Sequence, residues 1–467
     1  MNRLNIVDFG AAADGKTVCT QAIRRAIDAC PAGGTVLIPA GTFVSGSIYL
    51  KSDMELYLEE GALLLGSDNP DDYPVIRDRD EGWFTKTRAA LVEARMPGRD
   101  APGAPYREGV GTLDPAALWG RPEERLHDIR IRGNGEICGN GPALAPKEAA
   151  QGRNMRGTTI NIRNADRVHI EGVTFSESPF WCMHFLFCED LTLENVRVRN
   201  KFHRDGVTPL GLPNNDGIDP DSCRHVTIRN CDIESEDDNI AIKAGRDREG
   251  RAIGIRSEHI TIENCTFRHG FGVACGSEMS AGIRDVAVRG CTFQNSFSIA
   301  AIKSKPWRGG VIEDVRIEHC RLVNEATDMR ECKWFRGALN IDLCYGIEEE
   351  DLPENRRRGA LLGADFTGES EKDENGMPQT DERERLQWEE LIARGDRTPY
   401  EFTPAIRHVE IHHVTIRTCE GKALYIHGLP ESPVQDLTLE DIQAEGRGAV
   451  VRYAEDVKLT DCRLSLL

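Results

Sequence analysis

The chain has 467 residues, 58 basic and 77 acidic, and its formal charge of −19 argues against nucleic acid or an anionic membrane as a partner of the general surface. No run approaches the roughly 18 apolar residues that a membrane helix needs. The opening "MNRLNIVDFGAAADGKT" has no apolar signal core and runs into a strand-like stretch and a Gly-rich turn, so a cytoplasmic location is expected. The fifteen cysteines are odd in number and many fall at one recurring apolar position, as buried thiols do, rather than in the spacings of a disulfide framework or a zinc site.

In chain order, "TQAIRRAIDAC" from Thr20 is apolar at helical spacing and is expected to cap the open end of a core. A Gly- and Pro-rich segment, "ARMPGRDAPGAPYREGVGTLDPAALWGRPEE", then interrupts the early part of the chain. From Val168 an eight-residue phrase recurs: apolar, x, apolar, x, small or polar, Cys or apolar, x, apolar. It reads "VHIEGVTF" from Val168, "LTLENVRV" from Leu191, "VTIRNCDI" from Val226, "ITIENCTF" from Ile260, "VAVRGCTF" from Val286 and "VRIEHCRL" from Val315. It returns as "VEIHHVTI" from Val409, "LTLEDIQA" from Leu437 and "VKLTDCRL" from Val457. Alternation at period two marks a strand with one face on a core, and the small or polar break marks a bend into a second strand.

The first six phrases start 23, 35, 34, 26 and 29 residues apart. One coil of a β-solenoid with three short strands takes about that length, and stacking coils buries a core that no single coil can bury. An ordinary β-sandwich would not repeat one phrase so closely. The expected fold is therefore all-β: a single right-handed parallel β-helix domain over residues 1–467, with the N-terminal helix as a cap. Between Val315 and Val409, 94 residues apart, the phrase is absent, and the charged, helix-prone sequence around Asp381 to Arg394 marks an insertion within roughly 345–403, read as a wall or lid.

The stretch "NNDGIDPDSCRHVTIRNCDIESEDDNIAIKA" from Asn214 places Asp216 and Asp219 before one phrase and Asp237 and Asp238 after it. Asp216 lies 21 residues from Asp237 and 22 from Asp238, which sets them on adjacent coils at one face. Converging carboxylates have three readings: a calcium site, a chance cluster on a solvated edge, or acid catalysis, in which repulsion and partial desolvation raise one pKa while neighbouring carboxylates activate water. Asp219 is expected to support the turn.

"NNDGIDPDS" followed by "DDNIAIKAG" resembles the signature of the polygalacturonase family of glycoside hydrolases, family 28, whose motifs run N-T-D, D-D, G-H-G and R-I-K. The likeness extends from "VDFGAAADGKT" through "SPFWCMHFLFCEDLTLENVRV" to "LPESPVQDLTLEDI". It implies that Asp237 protonates the glycosidic oxygen while Asp216 and Asp238 hold and deprotonate an attacking water. That implies inversion, for which two carboxyl groups roughly 6.5 to 9.5 Å apart admit the water. Asn214 opens the motif and is expected at the substrate. No metal and no organic cofactor is called for.

Three positions depart from the family pattern. Phe271 stands at the G-H-G histidine, with His269 two residues away as a substitute; Ala301 stands at the R-I-K arginine, leaving Lys303, with Lys305 or Arg308 to restore a second charge; Glu236 stands where glycine precedes D-D. Lys303 and Arg308 are expected to face a sugar carboxylate, Glu278 in "GSEM" resembles the G-S-E of exo-acting relatives, and Trp181 and His184 in "PFWCMHF" are candidate pocket residues, Trp181 as a stacking platform. The expected activity is an exo-acting, inverting hydrolase releasing a terminal sugar, galacturonic acid first, from pectin-derived oligosaccharides. The alternatives are a rhamnogalacturonan-type or other α-glycosidase, and a non-catalytic carbohydrate-binding solenoid. The sequence leaves the oligomeric state open.

Overall fold

The computed structural model describes residues 3–96, 115–151, 155–325, 333–355, 382–418 and 421–466. Most of the Gly- and Pro-rich segment and residues 356–381 of the charged insertion lie outside them. The fold is a right-handed parallel β-helix. The chain forms two compact units: Met1–Asp78 with Lys86–Ala241 and Ile260–Gly270, and Arg79–Thr85 with Ile242–His259 and Phe271–Leu467.

In the first unit each phrase becomes two strands. Ala165–Glu171 and Thr174–Ser176 form one pair, Glu189–Glu194 and Arg197–Asn200 the next, and Arg224–Arg229 and Asp232–Ser235 the third. The strands stack parallel and in register, Val168 on Leu191 and Leu191 on Val226, then Phe175 on Val198, Val198 on Ile233 and Ile233 on Phe267. Like positions therefore meet like, and these side chains are at most 1% exposed. Burial of each large aliphatic or aromatic side chain contributes about 1.5 to 3 kcal/mol, which makes the ladder the main source of cohesion.

The break in the phrase has a definite conformation. Asn195, Asn230 and Asn264 have φ of 54° to 55°, the left-handed region that Asn tolerates and that turns one strand into the next. The cysteine after the break points inward, and the thiols of Cys231 and Cys265 each reach a carbonyl of the preceding coil, Leu193 and Ile228, at 3.7 Å. Of the described cysteines only Cys462 is exposed, which agrees with buried free thiols.

A third strand completes each coil: Ile160–Arg163, Met183–Leu186 and Ile218–Asp221, with Ile160 on Met183, Met183 on Ile218 and Ile218 on Ile240. At the start of the unit, Thr20–Ala29 is the expected amphipathic helix; Ala22, Ile23, Ala26 and Ile27 are buried, and it packs on the 3-10 turn Ile6–Phe9 and the strand Ile48–Leu50.

The second unit repeats the scheme, stacking Val286, Val315, Val409, Leu437 and Val457 in one column and Ala300, Leu339, Leu424 and Ala449 in another. The charged insertion forms the helix Glu382–Arg394 as its composition predicts. Trp388 anchors it, 2% exposed, with its ring 5.7 Å from that of Trp307 and its indole N–H donating to Glu431 at 2.8 Å.

Candidate active site

In the first unit Asp216 precedes the strand Ile218–Asp221, and Asp237 and Asp238 lie in the turn that follows Asp232–Ser235. Parallel rung bonds join the two coils. The Cys182 N–H donates to the Asp216 carbonyl at 2.9 Å, and the Gly217 N–H donates to the Asp238 carbonyl at 2.9 Å. Side chains lock the turns: Asn200 accepts the Ser178 N–H at 2.7 Å, Asn239 donates to the Ile233 carbonyl at 3.1 Å, and the Ser235 hydroxyl donates to the Asp237 carbonyl at 2.8 Å. The close stacking demands glycine at Gly217, where a Cβ would sit 2.4 Å from the Asn239 carbonyl oxygen.

The three acids converge as the 21- and 22-residue spacings require. One carboxylate oxygen from each lies within 4.8 Å of the other two. Asp216 and Asp238 are each 3% exposed and Asp237 is half-buried, so Asp237 is the most open to an incoming molecule. One oxygen of Asp237 accepts the Asp238 N–H at 2.9 Å. Two oxygens at most 4.8 Å apart can share one water through hydrogen bonds of about 2.7 Å. The nearest-oxygen gap is shorter than the roughly 6.5 to 9.5 Å expected of a water-admitting pair, because adjacent rungs stand only about 4.8 Å apart. The same three carboxylates form a set that could hold a metal ion.

The neighbouring candidates take other positions. Trp181 is 3% exposed, with its ring stacked on Phe180 at 4.8 Å and edge-on to His184 at 5.3 Å, so it is a core tryptophan rather than an open platform for a sugar. His184 is also buried, opposite Asp219 in the strand register and 3.5 Å from Asp221. Asp219 belongs to that fully buried strand and not to the turn it was expected to support. Asn214, with φ 54°, accepts from Arg156 at 3.0 Å, and the Arg156 guanidinium also lies over Phe180, a partner that nothing in the motif announces. His269 ends the strand Thr266–His269 with φ 57°, its ring edge-on to Phe202 at 5.4 Å. Glu236 lies 3.8 Å from Lys201, which offsets part of its charge.

The second unit gathers a charged cluster. Glu278 is 3.3 Å from Lys243 and 3.8 Å from Arg308, and Arg308, 1% exposed, is held by Asp247 at 2.8 Å and donates to the Ser277 carbonyl at 2.8 Å. Burial opposes the charge of Glu278, but Lys243, Arg308 and Arg246 outweigh it and hold the carboxyl below its usual range. Burial first, then the like charges of Arg308 and Arg246, push Lys305 down to about 7. Sequence reasoning found Glu278 and Arg308 but missed Lys243, Arg246 and Asp247. The signal was present, since "IAIK" ending at Lys243 repeats the pattern of "AAIK" ending at Lys303.

Comparison with known proteins finds two family models that match parts of the chain. Residues 122–328 match the model described as glycosyl hydrolases family 28, and residues 3–62 match one described as rhamnogalacturonase A/epimerase, pectate lyase-like. The likeness to glycoside hydrolase family 28 covers residues 122–328. Similar proteins include a probable polygalacturonase of Vitis vinifera, 29% identical over 71% of this chain and 61% of that protein, and an exo-poly-alpha-D-galacturonosidase of Dickeya chrysanthemi, 29% identical over 69% and 55%. The chain thus matches about three fifths of the length of these relatives. An exopolygalacturonase structure from Thermotoga maritima shares the fold, with a TM-score of 0.66, 22% identity and coverage of 98% of this chain and 92% of that one.

The chain keeps the acids of the family 28 motifs but departs from the other two. Phe271, at the histidine position, stacks on Phe335 with ring centroids 3.3 Å apart and touches Phe297 at 4.7 Å. Ala301 is fully buried in the strand Ala300–Lys303. Lys303 is 2% exposed, its ammonium 4.9 Å from the Phe335 ring centre and 4.7 Å from that of Tyr345.

Proposed function

We propose that this chain is an inverting, exo-acting glycoside hydrolase that releases a terminal sugar, galacturonic acid first, from pectin-derived oligosaccharides. The observation that carries the hydrolase reading is the convergence of Asp216, Asp237 and Asp238 within 4.8 Å, while the inversion rests on the resemblance of their motifs to family 28. Asp237, the most open of the three, protonates the glycosidic oxygen, while Asp216 and Asp238 hold a water and take its proton as it attacks the anomeric carbon. The exo character draws on the likeness to the exo-poly-alpha-D-galacturonosidase of Dickeya chrysanthemi.

A second reading, an α-glycosidase for another terminal sugar, is favoured by the aromatic cover over Lys303 and by Phe271 and Ala301 at the recognition positions. A product-release screen against defined oligogalacturonides and neutral α-linked disaccharides separates the two. Lys303→Ala cripples a galacturonidase and spares an enzyme for a neutral sugar. Asp237→Asn is expected to lower kcat by about 10² to 10⁴ on whichever substrate is cleaved. Activity equal to that of the unmodified chain would remove Asp237 from the chemistry, and no cleavage of any member of the panel would favour a binding solenoid. Proton NMR of the first product supplies the stereochemistry: the inverted anomer is expected, and the retained one would make Asp216 or Asp238 a nucleophile.

A further inference from the structure

We propose that Asp342, Cys344 and His427, in the second unit, form a binding site for a zinc-class divalent cation. The strands Leu339–Asp342 and Leu424–His427 are adjacent rungs, and their register sets Asp342 directly against His427. Two residues beyond Asp342 the chain turns and brings back Cys344, whose N–H donates to the Asp342 Oδ1 at 2.7 Å. One donor atom from each of the three residues lies within 4.8 Å of the others, and all three residues are at most 1% exposed.

The histidine shows which way the site faces. His427 is fully buried, and its Nε2 lies 3.0 Å from Oε1 and 3.2 Å from Oε2 of Glu354. A carboxylate only accepts, so the ring proton resides on Nε2 and the Nδ1 lone pair points away from Glu354. That Nδ1 faces the Cys344 thiol and the Asp342 Oδ1, the latter at 3.7 Å, across the cluster. Imidazole nitrogen, thiol sulfur and carboxylate oxygen thus converge on one buried point, where a cation would take all three as ligands once the thiol is deprotonated.

The surroundings match those of a metal ligand set. An imidazole that binds a metal through one nitrogen usually gives its other N–H to a carboxylate, which is the role open to Glu354, itself held by Arg452 at 2.6 Å. The second oxygen of Asp342 is 3.4 Å from Arg336, which fixes the carboxylate and leaves Oδ1 toward the cluster. Sulfur, nitrogen and oxygen donors together suit zinc better than calcium or magnesium, and three protein ligands leave a fourth tetrahedral position for a water. On binding, the thiol loses its proton to solvent and its charge, with that of Asp342, balances the dication. Burial of all three ligands assigns the ion a structural role, tying two coils together.

The test uses the full chain, stripped with chelator, dialysed and titrated with cobalt(II) and then zinc chloride. One cobalt per chain is expected, with a thiolate-to-cobalt charge-transfer band and the ligand-field bands of a tetrahedral site, both displaced by zinc. Cys344→Ser should abolish the charge-transfer band, and Asp237→Asn, which alters the acidic trio, should leave it intact. Glu354→Gln, at a partly exposed side chain, keeps the fold and should weaken cobalt binding 10- to 100-fold. No thiolate band in the unmodified chain, a band that survives Cys344→Ser, or unchanged affinity in Glu354→Gln overturns the proposal.

Discussion

Gly270 packs against the backbone of the turn that carries the candidate acid, Asp237. At φ 59°, a Cβ there would lie 2.4 Å from the Asp237 carbonyl oxygen and 2.4 Å from the Ser235 hydroxyl. Gly270→Ala therefore forces the Asp237 turn to move in addition to imposing backbone strain of about 1 to 2 kcal/mol. The expected outcome is a fall in kcat of at least tenfold together with a lower Tm. Gly206→Ala isolates the strain alone, because Gly206 has φ 75° and nothing within 4 Å of its added Cβ; it should lower Tm slightly and spare kcat. In an Asp237→Asn background the extra kcat loss of Gly270→Ala should vanish, and its persistence would show that the glycine acts elsewhere. Lys305 makes a second prediction at this scale. Its pKa is held at about 7 by burial and by Arg308 and Arg246, against 10.5 in the open chain, so between those values the folded form binds fewer protons than the unfolded one. The burden of a buried charge is then full below about pH 7 and is relieved as pH rises toward 10.5. Lys305→Met should raise Tm by a few degrees at pH 6, and the gain should shrink toward pH 10 when thermal unfolding is followed across that range.

Among the elements, the insertion helix Glu382–Arg394 depends on Trp388, the one large apolar side chain of its run that is 2% exposed. Trp388→Ala removes the contact with Trp307 and leaves Glu431 without its indole donor, so a cost of about 3 to 5 kcal/mol to the docking of the helix is expected. Limited proteolysis should then cut near Arg394 in the variant and not in the unmodified chain; equal resistance would mean that other contacts hold the helix. This helix was legible in the sequence because charge patterning and a lone tryptophan survive without tertiary context, and the repeated phrase was legible because each strand pair alternates apolar and polar at period two. The third strand of each coil was not. Its residues, as in Met183–Leu186 and Ile218–Asp221, are buried on both faces and mix His, Asp and Pro among apolar neighbours, so no alternation remains to be read. That is why Trp181 and His184 passed for pocket residues. The carboxylate trio was legible because its members are one coil apart, whereas Asp342 and His427 are separated in sequence by the whole charged insertion and meet only through strand register.

For the whole molecule, the formal charge of −19 makes the identity of the substrate a question of ionic strength. An oligogalacturonide carries one negative charge per sugar and approaches a surface of the same sign, so long-range repulsion slows its arrival. A neutral oligosaccharide meets no such barrier. Within the second unit, Lys243, Arg246, Lys305 and Arg308 stand against Glu81, Asp247 and Glu278, a cluster whose charges act at short range. Salt screens the distant repulsion first, because the Debye length falls from about 30 Å at 0.01 M to about 10 Å at 0.1 M, while buried pairs are screened much less. If the terminal sugar is galacturonic acid, kcat/KM measured on a short oligogalacturonide should rise severalfold between those two salt concentrations with kcat nearly constant. A neutral α-linked substrate should show no change. A fall in kcat/KM for the galacturonide would mean that a cationic field, and not the net charge, governs its approach, and would place the charged cluster of the second unit on the path of the substrate.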